Sequence, residues 1–147
     1  MLRHPTRWFF ATAAAAVLLV GTVAASQSTP SITFKSPTQN WSVVASSNPL
    51  PFGQTVAIIY SADRLTQCRG NINATTPGWT ITGHYKFNNG PVQSFWVAGF
   101  SSTSNPPPPA IPLNQKGDLS IWFENTSRWG CQAWDSNFGA NYHFNVQ

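Results

Sequence analysis

The chain has 147 residues and a formal net charge of +4, and only 8% of its residues are charged. This length fits a single domain. The few basic residues are scattered, so the sequence lacks the Lys/Arg cluster of a nucleic-acid-binding surface, and we expect no nucleic-acid partner.

The first 25 residues have the pattern of a secretory signal peptide. A basic start, RHPTR, precedes an apolar run from Trp8 to Val20, and the small-residue stretch GTVAAS follows. The run is too short to span a bilayer, which favours a cleaved signal over an uncleaved anchor. We expect cleavage after Ala25, with Ala24 as the alternative site. A secreted domain, extracellular or periplasmic, then covers residues 26–147 and has no membrane contact.

The rest of the chain is predicted to form short strands only. Pro, Gly, Ser, Thr and Asn interrupt every apolar run, and β-branched and aromatic residues fill the gaps. This pattern of about seven strands predicts an all-β fold, an antiparallel β-sandwich. The predicted strands are Ser31–Lys35, Trp41–Ala45, Gln54–Tyr60, Gly78–Phe87, Val92–Phe100, Leu119–Glu124 and Asn141–Val146.

Two connections have clear sequence signals. Asn89-Gly90 lies between two strand patterns and predicts a tight hairpin. The segment SSTSNPPPPAIP is predicted to be a stiff, exposed connection outside any sheet, because proline has no N–H to donate.

Cys68 and Cys131 both lie in the predicted mature domain. An exported protein with two cysteines most simply pairs them, so we predict one structural disulfide. Closing a loop of that length restricts the unfolded chain by roughly 4 kcal/mol in the entropic model. The alternative, a reactive cysteine, lacks a neighbouring histidine in the sequence.

Alternation along the strands predicts which side chains face the core. In the predicted strand Leu119–Glu124, Leu119, Ile121 and Phe123 point to the core face, which leaves Trp122 on the outer face. The remaining predicted inward residues are Trp79, Ile81, Tyr85, Phe87, Tyr142, Phe144 and Val146.

Six tryptophans follow the signal peptide, more than the core of a small sandwich needs. Trp122, Trp129 and Trp134 lie in one short segment, among neutral amides. Indole rings cover the C–H face of a sugar and amides bond its hydroxyls, so this cluster favours a neutral glycan ligand. The amides are Asn125, Gln132, Asn137 and Asn141.

The same segment has a purely structural interpretation. Trp129 or Trp134 can close the end of the sandwich as a plug. In DSNFG, Asp135 can bond the backbone two residues on, and Asn137 and Gly139 tolerate left-handed conformations, which together make a turn.

The stretch AWDSNFGANYHF resembles the closing motif of family-21 carbohydrate-binding modules, which bind starch and glycogen. The motif, Trp-Asp-Asn-Asn followed by Asn-Tyr, falls on Trp134, Asp135, Ser136, Asn137, Asn141 and Tyr142, with Ser136 in place of an Asn. The resemblance implies an immunoglobulin-like sandwich. RLTQCRG together with WFENTSRWGCQAWDSN also resembles a set of uncharacterised bacterial secreted domains of unknown function.

We therefore expect a non-catalytic, secreted module without cofactor or metal, whose partner is a neutral polysaccharide. The alternative is a secreted structural or protein-interaction domain, such as an effector or inhibitor, without a glycan ligand. The predicted ligand-binding residues are Trp122, Trp129, Trp134, Asp135, Asn137, Asn141 and Tyr142.

Few residues are available for catalysis or metal binding. Of the four carboxylates only Glu124 and Asp135 are near each other in sequence, whereas a glycosidase needs two that face each other. Calcium needs six to eight oxygen ligands, more than these acids can supply.

His84 and His143 are predicted to be exposed surface residues. Three N-x-S/T sequences are possible glycan acceptors in a glycosylating host, at Asn40, Asn73 and Asn125.

Overall fold

The computed structural model describes residues 28–147, which form nine β-strands and two single turns of 3-10 helix. The predicted signal peptide lies outside the described residues. Among those that are described, no helix is long and apolar enough to cross a membrane. The strands are β1 (Ser31–Phe34), β2 (Val43–Ala45), β3 (Thr55–Tyr60), β4 (Trp79–Phe87), β5 (Gln93–Gly99), β6 (Ala110–Pro112), β7 (Gly117–Ser127), β8 (Gln132–Asp135) and β9 (Tyr142–Val146).

The strands make two sheets. One has four strands in the order β2-β1-β3-β6, and the other has five in the order β5-β4-β7-β8, with β9 also paired to β7. All pairs between these strands are antiparallel except β1 with β3. The predicted all-β sandwich is confirmed, with nine strands instead of about seven.

The two additional strands are short. β6 lies within the proline-rich segment that we predicted to stay outside any sheet. This prediction is wrong because β6 is an edge strand, which needs ladder bonds on one side only and so tolerates proline. β8 follows the hairpin after β7 and pairs with Phe123–Thr126.

The core lies between the two sheets. Side chains that alternate along β1 and β3 meet those of β4 and β7, and the Phe34 and Phe123 rings are 4.7 Å apart in an edge-on contact. The predicted inward faces are confirmed, since Ile81, Tyr85 and Phe87 are buried.

The predicted disulfide between Cys68 and Cys131 is confirmed. It joins the loop before β4 to the hairpin between β7 and β8. No free cysteine occurs in residues 28–147.

Candidate functional site

A buried arginine connects the two sheets. Arg64 donates from Nε to Oδ2 of Asp135 at 2.6 Å and from Nη2 to the Tyr142 hydroxyl at 2.7 Å. The Tyr60 hydroxyl donates to the same carboxylate at 2.9 Å, and the Tyr142 hydroxyl donates to its other oxygen. We call these four residues the Arg64 network. Both charges are removed from water, and each is paired and hydrogen-bonded, as buried charges require.

Burial and the neighbouring groups raise the pKa of three members of this network, Tyr60, Arg64 and Tyr142. Burial raises the pKa of Tyr142 to about 12, and its hydrogen bond to Asp135 acts in the same direction. The pKa of Tyr60 is raised by the same two causes. Burial by itself lowers the pKa of Arg64, but Asp135, Tyr142 and Tyr60 together raise it and the net shift is upward.

The same arginine holds the chain before β2. Its Nη1 donates to the carbonyls of Lys35 and Trp41 at 2.9 Å. The guanidinium also lies 5.1 Å from the centre of the Trp41 ring, close enough for a cation–π contact. Trp41 has a positive φ of 54° and an exposed side chain. Arg64 thus orients an indole that reaches solvent.

The DSNFG turn is confirmed, with a different residue in the capping role. Asn137 and Gly139 have positive φ angles of 49° and 90°. The turn is held by Ser136, whose hydroxyl oxygen accepts from the Gly139 N–H at 3.2 Å. Asp135 does not make the predicted local bond, because its carboxylate points inward to Arg64. The Asn137 side chain donates to the carbonyl of Asn141 at 3.2 Å.

Of the two aromatic residues in the predicted motif, only Trp134 has a side chain outside the Arg64 network. Asp135 and Tyr142 belong to the Arg64 network, and Asn137 and Asn141 build the turn. Trp134 is 53% exposed on β8. Its indole does not plug the core.

Trp134 borders a groove of about 760 Å³, which we call the Trp134 groove. Trp41 lies at the same groove, and Phe138 from the β8–β9 turn is completely exposed there. Arg64 and Gln67 also line it. Three solvent-exposed aromatic side chains thus border a mainly apolar groove with a few polar groups, an arrangement typical of ligand-binding clefts.

Trp122 and Trp134 lie on one face, the outer face of the five-stranded sheet. Trp122 is paired with His84 across β7 and β4, and the two rings stack at 5.6 Å with an interplanar angle of 22°. The Trp134 ring is 6.3 Å from His84 and tilted by 35°. Trp129 lies apart from these rings.

Trp129 packs at the β7–β8 hairpin, over Gly70 and Gly78. A Cβ added to either glycine would stand 2.7 Å from the indole ring. The ring is still 59% exposed. The structure therefore brings together two of the three tryptophans that the sequence grouped.

A row of polar side chains crosses the same outer face, with one residue from each of four neighbouring strands. The Ser94 hydroxyl on β5 is 2.8 Å from Nδ1 of His84 on β4. His84 Nε2 is 3.2 Å from Oε2 of Glu124 on β7, and Gln132 on β8 donates to Oε1 of Glu124 at 2.9 Å. We call these four residues the polar chain.

The polar chain corrects the interpretation of His84. Its side chain is 17% exposed and held on both nitrogens, so it is not a free surface histidine. His143 is 53% exposed, as predicted.

Ser94, His84 and Glu124 follow the order of an acyl-transfer triad. Ser94 nevertheless lies inside the extended strand β5, not on the sharp strand-to-helix turn that presents the nucleophile of α/β-hydrolases.

Glu124 and Asp135 lie on opposite faces of the five-stranded sheet. Glu124 belongs to the polar chain outside, and Asp135 pairs with Arg64 inside. They do not face each other as the two carboxylates of a glycosidase do. Within residues 28–147, no group of three or more His, Cys, Asp or Glu side chains is placed to hold a metal ion.

Asn125 is buried and cannot serve as a surface amide or as a glycan acceptor in the folded protein. Its Nδ2 donates to the carbonyl of Gln67 at 2.5 Å. The residue continues the inward series of Leu119, Ile121 and Phe123, so alternation along β7 already indicates its position.

Comparison with known families gives one match. The model of a family of unknown function, DUF6209, matches residues 27–147. The chain belongs to this family. No curated protein and no solved structure matches it.

Several residues of this DUF6209 site escaped sequence analysis. The structure adds Trp41, Phe138, Arg64, His84 and Ser94 to the residues that the sequence indicated. In the sequence, Arg64 is one of a few charged residues, and no local pattern marks it as part of a site. His84 and Ser94 lie on predicted strands. The alignment of those strands with β7 depends on contacts between residues that are distant in sequence.

Proposed function

We propose that this DUF6209 domain is a non-catalytic module that binds a neutral polysaccharide in the Trp134 groove. The observation that carries the proposal is the exposed Trp134 indole beside the groove. Of the two aromatic residues in the family-21-like motif, Trp134 is the one whose ring is exposed beside the groove, because Tyr142 belongs to the Arg64 network. The resemblance of that motif to starch- and glycogen-binding modules favours an α-glucan as the ligand.

The chemistry of the groove suits a sugar. The flat faces of Trp134 and Trp41 can cover the C–H surfaces of pyranose rings, and Gln67 and the turn amides can bond hydroxyl groups. Clustered exposed aromatic side chains of this kind are typical of interaction sites on protein surfaces. Holding Trp41 through Arg64 reduces the entropy lost when a ligand binds.

Affinity electrophoresis in gels that contain glycogen or soluble starch tests this proposal. We expect the wild-type domain to be retarded and Trp134→Ala to lose most of the retardation. Trp129→Ala is the matched control, because that indole is equally exposed but lies at the hairpin, and this variant should migrate like the wild type. Equal migration of all three proteins with and without glucan would refute α-glucan binding.

A second candidate function is a protein contact, and Phe138 favours it. Its ring is completely exposed at the tip of the β8–β9 turn with a positive φ of 57°, a position suited to inserting into a partner's pocket. A broad glycan array separates the two candidates. A protein contact predicts no glycan signal and a cross-linked partner in culture medium that Phe138→Ser no longer captures.

We also propose that the domain works outside the cytoplasm. The disulfide between Cys68 and Cys131 supports this location, since such bonds persist in oxidising compartments. Fractionation of cells that express the full chain, followed by mass determination of the product, tests both export and the predicted cleavage after Ala25.

A further inference from the structure

The polar chain is a preformed row of hydrogen-bonding groups beside two indoles. Its four side chains cross four strands, so it spans about 15 Å of the sheet. Each member is oriented by its neighbour, at distances between 2.8 and 3.2 Å. A ligand that lies along this row meets groups whose side-chain entropy is already reduced.

The row has unused hydrogen-bonding capacity. Each oxygen of Glu124 has one protein partner, His84 or Gln132, and retains a further lone pair. Ser94 and Gln132 at the two ends are exposed. Hydroxyl groups can donate to the carboxylate and can exchange hydrogen bonds with both ends.

The rings on this face add a stacking surface. Trp122 and His84 stack nearly parallel, and Trp134 lies beside them and also borders the Trp134 groove. A polymer bound in the groove can therefore continue over Trp134 onto the outer face of the sheet.

We infer that the polar chain is a second subsite for the same polysaccharide and that Glu124 restricts the ligand to uncharged sugars. This inference rests on the proposed function. Vicinal hydroxyls of a neutral sugar donate to the Glu124 carboxylate in charge-assisted hydrogen bonds. A uronate or sulfate group at the same place would bring a second negative charge against it, and like charges at such a contact oppose binding.

The experiment compares soluble starch with carboxymethyl starch by affinity electrophoresis and by isothermal titration at low salt. The wild type is expected to bind the neutral polymer at least tenfold more tightly. Glu124→Gln keeps the shape and removes the charge, so it should weaken neutral binding by about tenfold and reduce the discrimination between the two polymers.

Asp118→Asn is the matched control. It removes one carboxylate from the same face of β7, about 20 Å along the strand from Glu124, and should leave both affinities unchanged. Asp118 is exposed and contacts His143, outside the polar chain. Thermal melts confirm that each variant is folded. If Glu124→Gln is not, Gln132→Ala, at the exposed end of the row, tests the second subsite through weaker binding of the neutral polymer.

The outcomes separate this inference from the proposed function. Loss of binding in Trp134→Ala with wild-type affinities in both Glu124→Gln and Gln132→Ala overturns the second subsite and leaves the groove proposal intact. Equal loss of discrimination in Asp118→Asn would show a general charge effect and would also overturn it. Failure of the wild type to bind either polymer refutes both.

Discussion

The Arg64 network and the polar chain contain similar chemistry on opposite faces of the five-stranded sheet. Each is centred on a carboxylate with a cationic or imidazole partner, but Asp135 is buried between the sheets and Glu124 lies on an outer face. Asp135 uses its oxygens on Arg64 and two tyrosines inside the protein, whereas Glu124 retains capacity for solvent or ligand. The comparison shows that the face of the sheet on which a carboxylate stands, not its residue type, decides whether its oxygens are used entirely inside the protein.

The largest change in the free energy of unfolding is expected when the two carboxylates are replaced by the matching amides. Asp135→Asn leaves the Arg64 charge buried without a counter-charge, so the free energy of unfolding should fall by about 3 kcal/mol or more. Glu124→Gln should change it by only about 1 kcal/mol, because neither of its partners, His84 and Gln132, carries a permanent charge as Arg64 does. Urea unfolding at pH 7 measures both, and similar losses in the two variants would contradict the comparison.

A smaller decrease in the free energy of unfolding is expected from Tyr142→Phe. The substitution removes a hydroxyl that donates to Asp135 and accepts from Arg64, and hydrogen bonds to charged groups contribute about 1.5–3 kcal/mol. Tyr85→Phe is the control, since its hydroxyl bonds only the neutral Gln93 amide, and it should cost about 1 kcal/mol or less. Equal losses in urea unfolding would mean that the charges in the network do not strengthen these bonds.

The smallest expected contribution to the free energy of unfolding comes from His143 and depends on pH. Its pKa is raised by the hydrogen bond to Asp118 and by the one to the Ala140 carbonyl, both of which favour the protonated ring. The stabilisation is therefore complete below the unfolded pKa of about 6.5 and disappears as the pH rises through the higher folded value. Because the pair is exposed, we expect only about 0.2–0.5 kcal/mol.

A comparison of the wild type with His143→Gln over pH 5 to 9 measures this contribution. The two stability curves should differ at low pH and converge at high pH. A difference that grows with pH would have the wrong sign and would exclude the ion pair with Asp118.

Much of the fold follows from the sequence because its signals are local. Alternation placed Ile81, Tyr85 and Phe87 inside, and the interruptions by proline and glycine delimited most strands. Less of the candidate site can be predicted from the sequence. The Trp134 motif was visible, but two of its members, Asp135 and Tyr142, hold a buried arginine that no local pattern connects to them.

What the sequence determined by itself is most of the strands, the inward faces and the pairing of the two cysteines, because side-chain alternation and cysteine number are properties of the chain alone. Only the tertiary structure decided that Arg64 meets Asp135, 71 residues away, and that Ser94, His84, Glu124 and Gln132 form one row. The physical reason is strand register: which residues stand opposite one another depends on how the whole sheet pairs and packs.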